Sequence, residues 1–139
     1  MKTSLSWIGG AAFVGQSPSG HRIIMDGPEE AGGRNLGPRP METVLLGMIA
    51  CSSYDVVAIL KKSRQELQDC QVEATAERAE KDPKVFTKIH MHFLLTGKDL
   101  NEKQVQRAIN LSAEKYCSAS IMIGKTAKIT HSYEINESS

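Results

Sequence analysis

Thr43-Val-Leu-Leu-Gly-Met-Ile-Ala-Cys-Ser-Ser-Tyr54 is the most apolar run of the chain, and how it is enclosed decides the fold. Pro40 suits the first turn of a helix, where its missing N–H costs nothing. From there the pattern carries a helix to about Leu67, turning polar at Lys61-Lys-Ser-Arg-Gln-Glu66. The first half is apolar on nearly every side, so it must be covered on more than one side. Thr43 to Leu60 is eighteen residues with one charge, Asp55, close to the length of a membrane span. Asp55 follows Ser52, Ser53 and Tyr54 mid-segment, where polar groups are most costly in lipid, and no second span could shelter them. A buried helix of a soluble protein is the expectation.

Outward from this helix the chain reads as strands. Residues 4–14 and 21–26 suggest two short ones, joined by the turn Ser17-Pro-Ser-Gly20, and a glycine-rich connection over 27–37 leads to the helix. From Gln71 to Arg78, Val72, Ala74 and Ala76 alternate with Glu73, Thr75 and Glu77. Lys81-Asp-Pro-Lys84 turns the chain. Val85, Thr87, Ile89, Met91, Phe93 and Leu95 then share one face, opposite Lys88, His90 and His92, completing a hairpin of half-buried strands. Asn101 with Gln104 resembles a capping box, followed by Val105, Ala108, Ile109, Ser112 and Tyr116 at helical spacing. A last strand runs from Ala127 to Ile135. The order is strand, strand, long helix, hairpin, helix, strand: an α+β chain with no repeat and, over 1–139, a single domain.

Five short strands and one amphipathic helix give poor cover for a helix apolar all round. An obligate homodimer that packs two such helices together would supply it, whereas a monomer would leave a large apolar patch in water. The 139 residues can bury a sizeable core. With 17 basic and 16 acidic residues, the net charge of +1 is too even to point to nucleic acid or an anionic membrane as partner. The start lacks the pattern of a signal peptide, and three cysteines are an odd number for a secreted disulfide framework. A reducing cytoplasm is the expected setting, where a disulfide is transient rather than structural.

Cys51 and Cys117 each stand in or near a helical pattern, and two readings compete. Each could be a small core residue, or the two could be a redox pair. Apolar neighbours such as Leu45, Met48 and Ile49 disfavour a thiolate at Cys51, and the helix dipole fades beyond the first turn. A reactive Cys51 therefore needs a cation from another segment, with Arg22, Arg34 and Arg39 as candidates. Asp55, one turn on, is expected to bond nearby backbone or a dimer partner, and Cys70, without polar company, to be structural. His90 and His92 could offer two metal ligands, but no third stands at a telling distance and Lys88 shares their face, so a solvated surface is expected. His131 is expected to be a satisfied core histidine.

Pro40-Met-Glu-Thr-Val-Leu-Leu-Gly-Met-Ile-Ala-Cys51 resembles the start of the central helix in the OsmC/Ohr family of osmotically inducible and organic-hydroperoxide-resistance proteins. Tyr116-Cys-Ser-Ala-Ser120 resembles the segment carrying that family's second cysteine. The resemblance covers almost the whole chain. It implies an OsmC-like fold as an intertwined homodimer, with the long helices at its core and active sites at the interface. It implies a thiol-dependent peroxidase of oxidative stress response. Cys51 would attack an organic hydroperoxide or hydrogen peroxide and Cys117 resolve the product as a disulfide; an external dithiol would reduce it, with no metal or bound cofactor. The chain departs from the peroxide-reducing branch at Met41, where that branch has glutamate, with Glu42 on the face opposite Cys51. It also reads Gly15-Gln-Ser17 where the branch has arginine, and Ser118 where a proline usually follows the second cysteine. These departures favour two alternatives: a binding protein for a small hydrophobic ligand, and a cysteine redox sensor.

Overall fold

In the computed structural model, which describes residues Met1–Ser139, the stretch expected to be one strand over 4–14 is two: β1 (Ser4–Trp7) and β2 (Phe13–Gln16). Gly9 (φ 96°) and Gly10 (φ 56°) take the left-handed backbone that glycine adopts without penalty, and the chain reverses there. The Trp7 indole N–H closes the turn onto the Gly10 carbonyl oxygen at 2.9 Å. After the expected turn at 17–20, β3 (Arg22–Met25) pairs antiparallel with β2, giving a sheet of order β1-β2-β3.

The chain divides into two compact units, Met1–Leu46 and Gly47–Ser139. In the first, the glycine-rich segment is organised by one carboxylate. Asp26 is 1 % exposed and accepts the backbone N–H groups of Gly27 (2.7 Å), Arg34 (3.1 Å) and Leu36 (3.2 Å). The Arg34 guanidinium in turn donates to the carbonyl oxygens of Ile8 (3.1 Å) and Gly9 (3.5 Å). The long helix α1 (Pro40–Lys62) begins with Arg39 as its cap residue, whose N–H donates to Glu42 Oε1 at 2.8 Å, the reciprocal half of a capping box.

The helix ends at Lys62, not near Leu67, because Arg64 adopts φ 59°. The Arg64 N–H then bonds the Lys61 carbonyl (3.0 Å) and the Gln65 N–H that of Leu60 (2.9 Å), a Schellman ending without its usual glycine. The polar run 61–66 is therefore a helix terminus and turn, and β4 (Glu66–Arg78) starts earlier than the alternation at Gln71 suggested. β4 pairs antiparallel with β5 (Phe86–Lys98), as expected of a hairpin. The register shifts between Glu77 and Arg78, so Phe86 is buried in place of Val85 and Thr87, which are exposed, while Ile89, Met91, Phe93 and Leu95 face inward as expected.

Asn101 caps α2 (Glu102–Leu111) by accepting the Gln104 N–H at 3.1 Å. Gln104 does not complete the box, because the Asn101 N–H donates instead to Gln65 Oε1 at 2.8 Å. The helical pattern expected to reach Tyr116 widens after Leu111 into a π-helical turn, Ser112–Tyr116. Tyr116 is thereby exposed, and α3 (Ser118–Ile123), not foreseen, follows. β6 (Lys128–Glu137) runs parallel to β5, a pairing that needs a long crossover, and α2, the π turn and α3 are that crossover. The second unit's core holds the inward side chains of β5, Val105, Ala108 and Ile109 of α2, and the α1 stripe Met48, Ser52, Val56 and Leu60. Only this stripe of α1 is buried. Leu46 (55 %) and Tyr54 (77 %) stand exposed, so one chain does not supply the all-round cover expected for this helix. The fold is α+β, with two three-stranded sheets.

Burial opposes the charge on Asp26, but three backbone N–H donors and then the Arg34 guanidinium outweigh it, holding the carboxyl below its ordinary value of 3.8. With the folded value depressed, its contribution is present above 3.8 and fades as pH falls through the folded value. Asp26→Asn is expected to remove that acid-range dependence and to speed hydrogen exchange at the Arg34 and Leu36 amides. Unchanged exchange at both amides would show that the carboxylate does not hold the segment.

Candidate functional site

On α1, Met48, Cys51, Ser52 and Asp55 lie within two turns on one helix face. The junction between the π turn and α3 meets that face. Ser112, 1 % exposed, donates its hydroxyl to Asp55 Oδ2 at 3.0 Å, and its Oγ lies 3.1 Å from Ser52 Oγ and 3.3 Å from the Ser52 carbonyl oxygen. Asp55 thus bonds a side chain on the crossover rather than backbone. A turn away, the Cys117 thiol points to the Met48 carbonyl oxygen at 3.9 Å.

The π turn sets where Cys117 falls. Its N–H reaches back to the Ser112 carbonyl at 2.8 Å, the wide i to i−5 spacing, and its backbone then turns extended (φ −77°, ψ 98°) to cap α3. As cap, the sulfur accepts the Ser120 N–H at 3.3 Å. Cys117 is 0 % exposed, and Cys51 is half-buried. Burial pushes the Cys117 thiol up; Ser120 pulls the other way, and the neighbouring Cys51 thiol adds to the upward push. The Ser120 hydroxyl lies beside the same sulfur and likewise favours its charged form. The structure therefore brings together the two cysteines singled out in the sequence, both free, from α1 and from the crossover. Two adjacent thiols can pass between dithiol and disulfide.

The other candidates fall elsewhere. Arg34 is bonded to carbonyl oxygens as described, and Arg39 donates to Asn35 Oδ1 (2.6 Å) and the Gly37 carbonyl (3.4 Å). Cys70 is half-buried, and burial followed by the adjacent Asp69 carboxylate pushes its thiol up; it does have polar company. His90 and His92 project from the same face of β5 into a ladder of side chains on β6. His90 contacts Thr130 Oγ1 (2.6 Å) and Ser132 Oγ (2.8 Å), and His92 contacts Ser132 Oγ (2.6 Å) and Glu134 Oε2 (2.9 Å). No cluster of three metal-ligating side chains forms there. His131 stacks on Phe93 with centroids 6.4 Å apart, but its Nε2 is buried without a partner, unlike the satisfied histidine expected; burial and then the His90 charge lower its basicity. Reading the sequence missed Ser52, Ser112 and Ser120. Their only signal is a small hydroxyl at helical spacing from apolar residues, which many surface serines share.

Comparison with known proteins gives four findings. Residues 32–132 match the family model described as OsmC-like protein. Protein YhfA of Escherichia coli K12 is 49 % identical over 135 residues, covering 97 % of this chain and 98 % of the relative. Among solved structures, a hypothetical protein from Aquifex aeolicus superposes with TM-score 0.87 at 30 % identity (99 % of this chain, 97 % of that one). An organic hydroperoxide resistance protein OsmC from Legionella pneumophila shares the fold with TM-score 0.68 at 17 % identity (96 % and 97 %).

Removing the Ser112 hydroxyl would leave Asp55 and Ser52 short of a buried partner. Ser112→Ala is expected to lower unfolding stability by about 1–3 kcal/mol in a denaturant titration. An unchanged midpoint would mean that the junction is held by packing alone.

Proposed function

The chain belongs to the OsmC-like protein family, and on that footing we propose that it is a thiol-dependent peroxidase acting through Cys51 and Cys117. The adjacency of these two thiols, brought from α1 and from the crossover, carries the reading. The Cys51 thiolate attacks one peroxide oxygen; the S–O bond forms as the O–O bond breaks, and an alcohol, or water from hydrogen peroxide, leaves with a proton. The Cys117 sulfur then attacks the sulfenic sulfur of Cys51. The S–S bond forms, the S–O bond breaks, and the hydroxyl leaves as water with the Cys117 proton. An external dithiol supplies two electrons and two protons to restore both thiols. The division of roles follows from access: half-buried Cys51 can meet a solute, whereas Cys117 is sealed from solvent and kept in its thiol form by burial.

The working form is a cytoplasmic homodimer of a single domain, 1–139. The family match runs from the end of the first compact unit through most of the second, and the apolar side chains of α1 left in water are the surface a second copy would cover. A slower redox sensor with the same disulfide is the second reading. It is favoured because two of the three candidate cations have their guanidiniums engaged elsewhere, Arg34 by the carbonyl oxygens of Ile8 and Gly9 and Arg39 by Asn35 Oδ1.

After treatment with cumene hydroperoxide or hydrogen peroxide, mass spectrometry is expected to find a Cys51–Cys117 bond. Cys51→Ser should abolish peroxide consumption, about 10²-fold or more, and Cys117→Ser should retain one turnover and accumulate a dimedone-trappable sulfenic acid. No bond with either oxidant would end both readings; a bond without steady turnover on a dithiol would leave the sensor. For assembly, sedimentation is expected to give a dimer at micromolar concentration, and a folded monomer there would refute the homodimer.

A further inference from the structure

The Cys117 sulfur is out of reach of bulk water and of any external thiol: the residue is 0 % exposed, whereas Cys51 is half-buried. It is nevertheless the atom that must carry negative charge twice in a thiol–disulfide cycle. Attacking an oxidised Cys51, it gives up its proton; expelled from the disulfide, it leaves with the bonding electron pair. In a dry site such charge has to be met by donors already in place. Ser120 supplies two of them, its N–H at 3.3 Å from the sulfur and its hydroxyl beside the same atom. No oxygen or nitrogen of the chain pairs with that hydroxyl, which leaves its hydrogen for the sulfur. Ser120 is 4 % exposed, so water hardly competes for it. The Met48 carbonyl, 3.9 Å from the sulfur on α1, can only accept, and it takes the thiol hydrogen at rest.

We propose that the Ser120 hydroxyl is a catalytic group of the thiol exchange, stabilising the Cys117 sulfur as leaving group and so directing an external dithiol to Cys51. The assignment rests on the cysteine pair proposed above. One thiolate of the dithiol attacks Cys51 Sγ; the new S–S bond forms as the Cys51–Cys117 bond breaks, and the electron pair goes to the Cys117 sulfur. That thiolate accepts the Ser120 hydroxyl and N–H until it takes up a proton. The second sulfur of the dithiol, deprotonated, then attacks its own first sulfur in the mixed disulfide. Cys51 leaves as thiolate and is protonated, and the reductant closes its own disulfide. Two electrons and two protons have then passed to the protein. Leaving groups of lower basicity depart faster, and access favours the same direction, because of the two sulfurs only Cys51 can be met from solvent. In the forward step the same hydroxyl holds the Cys117 sulfur while its proton passes to the departing hydroxyl of Cys51.

Diamide closes such a pair without peroxide, so the outcome is separate from that of the peroxidase reading. When the oxidised full chain meets a monothiol (mercaptoethanol) and is acid-quenched early, mass spectrometry is expected to find the mixed disulfide on Cys51 and Cys117 free. Ser120→Ala is expected to slow reduction of the diamide-oxidised chain by dithiothreitol at least about tenfold. In the chain with Cys51→Ala and Cys70→Ala, Ser120→Ala should move thiolate formation at Cys117, read by ultraviolet absorbance, to higher pH. Ser120→Thr, which keeps the hydroxyl, should restore both readings. A serine that only filled space would leave the titration where it stands. The proposal is overturned by a mixed disulfide on Cys117, by an unmoved titration, or by reduction of Ser120→Ala within about twofold of the unsubstituted chain. The mapping on the unsubstituted chain decides even where a Ser120 variant does not fold. A bond that diamide closes and peroxide does not would end the peroxidase while the Ser120 results still decide this assignment.

Discussion

One buried hydroxyl, Ser112 Oγ, ties α1 to the crossover that returns the chain to the sheet. Its one O–H donates to Asp55 while its oxygen can accept the Ser52 hydroxyl, so two side chains on one helix face are held from a single point. The same residue's carbonyl accepts the Cys117 N–H, which fixes where the next helix starts. Register on α1 and register in the crossover are thus set together. A shift of one residue on either side would leave the half-buried Asp55 carboxylate without the Ser112 hydroxyl and separate Cys117 from Cys51. The thiol pair depends on serine and aspartate chemistry that neither cysteine takes part in.

The surroundings of the two sulfurs differ in kind. Ser120 favours the charged form of Cys117 through its N–H and its hydroxyl, yet the thiol is pushed up, because removal from water outweighs both. Cys51 lies on a helix whose buried stripe is one residue wide per turn, with apolar side chains on either side of it in water. That imbalance is what a second copy of the chain would relieve. The Arg34 guanidinium answers to carbonyl oxygens in the turn after β1, and that of Arg39 to amide and carbonyl oxygens in the loop before α1. Glu42 likewise has a local task, closing the helix cap.

Much of the fold was legible because periodicity and packing agree. Val72, Ala74 and Ala76, and Ile89 through Leu95, alternate in the sequence and face inward in the hairpin. The reading failed where one residue took an unexpected backbone. Arg64 supplies the left-handed turn usually left to glycine, so the helix end carried no visible mark. Gly9 and Gly10 were visible, but a single β-rich run hid the reversal between them. The π turn has no sequence signature, and it moved Tyr116 into solvent and created α3. Of the candidate site, the cysteines stood out by context and resemblance; the serines that hold them did not, because only the tertiary fold separates a buried hydroxyl from a solvated one.

The parallel pairing of β5 with β6 bears on how the molecule is made. Unlike the β4–β5 hairpin, which can zip from its turn, β6 finds its place only after α2, the π turn and α3 have been laid across the sheet. Such a loop is slow to close, because its entropy is lost before any strand pairing compensates. Cys117 belongs to that last segment, so its thiol reaches Cys51 only as the crossover settles. On a ribosome, α1 and the hairpin emerge while the second cysteine is still unmade, and the chain spends that interval with its first thiol unpartnered.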